Sequence, residues 1–142
     1  MPHEKQTERL GAEGFQDGRI ARVREMISIL SGSVLRRRRD HSRGDPLGTG
    51  HNHETCEMLY LFKDGKFRYI KRSFSSIAGV EMSLPSDTEF VAEGSWSVQL
   101  HLGQTVLTLE ENGTKFASWY SKVGDGGIHY LSKQRWKRSL ID

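Results

Sequence analysis

The chain is 142 residues long, with 35% apolar and 27% charged residues, a net charge of +3 and a pI near 9.1. That length fits one domain with a real core, and the mild basicity falls below that of a dedicated nucleic-acid binder. A single cysteine, Cys56, excludes an internal disulfide framework, and no apolar run approaches the roughly 20 residues of a membrane span.

Residues 1–14, MPHEKQTERLGAEG, are polar and glycine-punctuated. They lack the apolar stretch of a signal peptide and read as a flexible segment ahead of a domain spanning 15–142, in a cytoplasmic protein. FQDGRIARVREMISIL then carries Ile20, Val23, Ile27 and Leu30 at steps of three and four, with Arg19, Arg22 and Glu25 elsewhere on the wheel. This spacing predicts an amphipathic helix over 18–30, N-capped by Asp17 and stopped at Gly32.

Beyond Gly32, SVLRRRRD suits an extended strand, and DHSRGDPLGTGHNH reads as a long loop turning at Gly44-Asp45-Pro46. TCEMLYLF alternates Cys56, Met58, Tyr60 and Phe62, and Asp64-Gly65 predicts a hairpin into KFRYIKRSF. A longer connection follows, with Pro85 and Ser86-Asp87 at its turn. FVAEGSWSVQLHL places Trp96, Val98, Leu100 and Leu102 on one face, and Ser95, Ser97, Gln99 and His101 on the other. Gly103-Gln104 leads into TVLTLEE, Asn112-Gly113 into TKFASWYSKV, and Gly124-Asp125-Gly126-Gly127 into a terminal strand IHYLSKQRWKR. Six or seven strands with short turns and no helix between them predict a mainly β fold, an antiparallel up-and-down β-barrel. The apolar stripe of the helix would then cover one barrel end.

Two short motifs, Gly94-Ser95-Trp96 and the terminal QRWKR with Trp136 and Arg138, resemble those of the lipocalin-like (calycin) group of small meander barrels. The resemblance implies a G-x-W tryptophan packed near one barrel end beneath an arginine of the last strand. That group carries its G-x-W on the first strand, where this chain reads Leu30-Ser31-Gly32-Ser33-Val34.

Candidate functional residues fall into three sets. Arg36, Arg37, Arg38 and Arg39, with Arg43, are an anion or partner site in one reading and a solvated strand end in the other. On a strand Arg36 and Arg38 point one way and Arg37 and Arg39 the other, so they cannot form a single patch. His51, His53 and Cys56 have permissible zinc spacing, with Asp40 or His41 as a fourth ligand, yet a lone cluster in a glycine-rich loop is more often solvated. The third set is apolar and aromatic: Met58, Tyr60, Phe62, Phe67, Tyr69, Trp96, Val98, Leu100, Tyr120, Tyr130 and Trp136. With Trp119 these line either a ligand cavity or a filled core.

No nucleophile elbow, P-loop or dinucleotide fingerprint is present, so catalysis would rest on pocket groups such as Tyr60, Tyr69, His101 and His129, as in an isomerase or cyclase. No cofactor is expected. Three readings stay open: a barrel binding a small apolar or aromatic molecule, which is preferred; an interaction domain in which 36–43 meets an acidic protein, lipid headgroup or RNA; and a pocket enzyme. A sheet left open would make a homodimer easy to form.

Overall fold

The computed structural model describes the backbone of residues 18–43, 51–77 and 88–141, with the side chains of 18–39, 54–74 and 88–141. The expected flexible segment, the Asp17 cap and the turns at Gly44-Asp45-Pro46, Pro85 and Ser86-Asp87 lie outside these residues.

Helix α1 covers residues 18–30. The strands are β1 (Ser33–Arg43), β2 (His51–Leu61), β3 (Lys66–Ile77), β4 (Thr88–His101), β5 (Gln104–Glu111), β6 (Thr114–Val123), β7 (Ile128–Leu131) and β8 (Gln134–Leu140). Each pairs antiparallel with the next, and β8 pairs back with β1 through Ser33↔Leu140 to Arg36↔Lys137, closing the barrel. Every described strand therefore has a neighbour on both sides, and the sheet is not left open.

The tight turns follow from local chemistry. Asn112-Gly113 and Leu102-Gly103 both take left-handed backbone at their two central positions, the geometry of a twisted two-residue hairpin. The second of these turns on Leu102-Gly103 rather than Gly103-Gln104. The predicted terminal strand is two strands, β7 and β8, folded at Ser132-Lys133, where Ser132 adopts φ 56°. The loop before β2 is also shorter than its composition suggests, because β1 runs to Arg43 and β2 begins at His51.

The helix covers the end of the barrel that holds the β2–β3 and β4–β5 turns. Arg22 Nη1 donates to Gly103 O at 3.3 Å, and Gly32 N donates to Leu61 O at 2.7 Å. Its inward stripe is Met26 and Leu30, both buried, with half-buried Val23, whereas Ile20 and Ile27, expected in that stripe, are exposed at 46% and 36%. Both sets obey helical spacing, and the seat on the barrel selects between them. Met26 and Leu30 join Leu35, Leu59, Leu61, Phe67, Trp96, Leu107, Leu109, Leu131 and Trp136 in one core. Leucines with no exposed surface each stabilise the fold by about 1.5–3 kcal/mol, so the half of the barrel next to the helix is filled and firmly held.

Gly94 explains half of the G-x-W motif. A Cβ there would stand 1.9 Å from Glu110 O and 2.9 Å from the Phe67 ring, so only glycine admits the close approach of β4 to β5. Trp96 supplies the other half, donating from Nε1 to Phe62 O at 2.9 Å and from its backbone N to Gly65 O at 2.8 Å. It thereby ties β4 to the β2–β3 turn at the helix-covered end.

Candidate functional site: the charged and aromatic half of the barrel

The arginine run divides as strand alternation requires. Arg36 and Arg38 are exposed, and Arg38 is paired with Glu54. Arg37 shares the parity of Leu35 and faces inward, its side chain 13% exposed. Register sets Arg37 opposite Glu57, with Nη1 3.8 Å from Oε2, and its guanidinium lies 5.9 Å from the centroid of the Trp136 ring. Tyr69 O–H donates to Glu57 Oε1 at 3.2 Å. Burial, reinforced by the Glu57 charge and hydrogen bond, pushes the Tyr69 phenol above its usual range, while Arg37 and Arg39 pull the other way. Tyr69 is therefore a fixed hydrogen-bond donor. Arg37 and Glu57 are both largely withdrawn from solvent and face each other, whereas Arg39 is exposed.

One atom here is unsatisfied. Trp136 is 2% exposed, and its Nε1–H meets no acceptor among the described residues. An orphaned buried donor of this kind costs about 1–3 kcal/mol. Tyr69 in turn belongs to a wall of rings. Phe90 shares the inward parity of Ala92 and Trp96, yet it is 50% exposed, and it stacks on Phe116 at 6.2 Å and meets Tyr69 edge-on at 6.3 Å. Phe116 also contacts Tyr69 and Phe67, at 5.9 and 6.0 Å. It turns inward because the register shifts between Leu109 and Glu110, which adds a residue to β6.

Of the predicted apolar set, Phe67, Trp96, Val98 and Trp136 lie in the core and Tyr69 packs against it. Leu100 is half-buried. Met58, Tyr60 and Phe62 take the opposite face of β2 from the fully buried Leu59 and Leu61, so they do not line the interior as expected. Tyr60 stacks on Phe62 there, with ring centroids 6.2 Å apart. Tyr120 and Tyr130 are likewise outside, 39% and 37% exposed. Alternation separates two faces without saying which is inner, and on β2 each face carries one glutamate, Glu57 inside and Glu54 outside. Phe90, Phe116 and Glu57 escape a reading of the sequence for that reason.

His51 and His53 begin β2 instead of lying in a loop, and their side chains, like those of Asp40, His41 and Arg43, fall outside the described set. Cys56 is half-buried with Sγ 3.8 Å from Glu54 Oε1. Among the described residues no group of three or more His, Cys, Asp or Glu could hold a metal ion.

The histidines separate cleanly. His101 is exposed, with its ring 6.3 Å from that of Tyr120. His129 has no exposed surface, and its ring lies between Arg138 Nη1, 3.1 Å from Nδ1, and Ser121 Oγ, 2.6 Å from Nε2. Arginine only donates, so Nδ1 accepts and the imidazole proton sits on Nε2. Nε2–H then donates to Ser121 Oγ, and Ser121 O–H donates to Met26 Sδ at 3.2 Å. Burial, helped by the Arg138 charge, lowers the His129 pKa to about 4. A ring with Nε2 already protonated cannot take the serine proton, so this serine–histidine pair is a structural relay from β8 to the helix and not a nucleophile with its base. The relay also engages Arg138, the arginine that the lipocalin-like resemblance would set over the G-x-W tryptophan; among the described residues a guanidinium lies over a tryptophan at Arg37, over Trp136.

The closed eight-stranded meander barrel is consistent with a lipocalin-like architecture. No family model, curated protein or solved structure matches the chain. Among the described residues no helix is long and apolar enough to cross a membrane.

Proposed function

We propose that the barrel binds a small molecule with a flat apolar body and an anionic acceptor group, in the half of its interior away from the helix. The carrying observation is the buried, unpartnered Trp136 Nε1–H beside Arg37. A carboxylate or sulfonate placed there accepts from Trp136 and faces the Arg37 guanidinium, and its body lies against Phe90, Phe116 and Tyr69. Ring-on-ring contact favours an aromatic body over a thin aliphatic one.

The basic-segment reading gains less. Arg37 is turned inward and Arg38 is paired, so the run presents no continuous cationic surface. The pocket-enzyme reading would rest on Tyr69, held protonated by its surroundings, and on no activated nucleophile.

Calorimetric titration with 2-naphthoate tests the proposal. Trp136→Phe keeps the ring and removes the donor, and is expected to weaken binding about tenfold, the loss of one charge-assisted hydrogen bond. Equal affinity in the two proteins, or no binding to either, would overturn the assignment.

A further inference from the structure

A recess lies at the helix-covered end of the barrel. It is a cleft of about 1080 Å³ between α1, the Gly103 turn, the later part of β6 and the β7–β8 turn. We infer that this cleft is a separate binding site for an aliphatic carboxylate. It is independent of the interior site, because the two share none of the residues invoked for either.

The size suits a small ligand rather than a protein segment, since such pockets run to roughly 1,000 Å³. Its floor is apolar and pliable: Met26 is buried, Ile29 and Trp119 are half-buried, and Val123 is 40% exposed. Flexible methionine and branched aliphatic side chains adapt to a chain better than to a rigid ring system. The rim selects the head group. Arg22, Lys122 and Lys133 stand against the single carboxylate of Glu25, and neither lysine forms an ion pair among the described residues. The β5–β6 register ends at Val106↔Tyr120, and beyond it Thr105 Oγ1 donates to Ser121 O at 2.8 Å, both residues lining the recess.

The experiment is calorimetric titration of the full chain with laurate below its micellar concentration, alongside ¹⁵N indole spectra. Laurate is expected to bind the wild type with a Kd below about 1 mM, to weaken about tenfold in Lys122→Gln/Lys133→Gln, and to stay within about twofold in Phe90→Ala. The Trp119 indole resonance should move and that of Trp136 should not. Both lysines are exposed, so the double variant keeps the fold, which its melting temperature checks. Absence of binding, or affinity unchanged by the lysine substitutions, overturns the inference. Loss of binding in Phe90→Ala with movement of Trp136 also overturns it and assigns laurate to the barrel interior.

Discussion

His129→Gln should remove a pH dependence of stability that the buried His129 ring imposes. In the folded protein the His129 pKa is lowered to about 4 from the ordinary 6.5. Above pH 6.5 the ring is neutral in both states and contributes no pH dependence. As pH falls from 6.5 toward 4, the unfolded chain takes up a proton that the folded chain refuses, so stability is lost throughout that window. A span of roughly 2.5 pH units at about 1.4 kcal/mol per unit amounts to a loss of about 3 kcal/mol. The ring has no exposed surface, so solvent screening removes little of this. Glutamine can still bridge Arg138 and Ser121 but does not titrate. Urea denaturation of both proteins at pH 7 and pH 4 isolates the effect, because every other ionisable group is common to them. The wild-type advantage at pH 7 should shrink, or reverse, by about 3 kcal/mol at pH 4. A stability difference that is the same at both pH values would mean that His129 titrates as freely folded as unfolded, and the tautomer argument would fall with it.

Gly94→Ala forces a methyl group into the Glu110 carbonyl and should lower stability by about 1–3 kcal/mol or block folding, read from the urea midpoint. Leu102→Asn should act oppositely: Leu102 is 84% exposed with φ 53°, and asparagine tolerates that backbone better, a gain of about 0.5–1 kcal/mol in the same assay. Glu57→Gln removes the charge that helps hold the Tyr69 phenol up, so the phenol should ionise at lower pH in an ultraviolet titration. The same substitution leaves Arg37 without its carboxylate and should tighten 2-naphthoate binding about tenfold.

Much of the barrel is legible in the order of the amino acids alone. Asp64-Gly65 and Asn112-Gly113 announce their hairpins because glycine and asparagine accept left-handed backbone, and both turns form. Ser132-Lys133 carries no such signature, so β7 and β8 read as one strand; the contacts of the closed barrel hold Ser132 in a conformation its chemistry does not favour. The helix is legible in extent but not in rotation, since stripes through Ile27 or Met26 differ by less than the spacing rule resolves. The split of Arg37 from Arg36 and Arg38 follows from alternation alone. What Arg37 meets does not: Glu57 and Trp136 reach it through the β1–β2 register and barrel closure, long-range facts that no local window contains. Phe116 is hidden for a related reason, because a bulge reverses parity partway along β6.

The measurement to make first is the ¹⁵N–¹H spectrum of the three tryptophan indoles during titration with 2-naphthoate, assigned with Trp136→Phe. Trp96 Nε1–H is already bonded to Phe62 O and should hold still. The Trp136 resonance should move downfield and saturate as its Nε1–H gains an acceptor. A Trp136 signal that stays in place while the protein is saturated would contradict interior binding at Arg37 and Trp136.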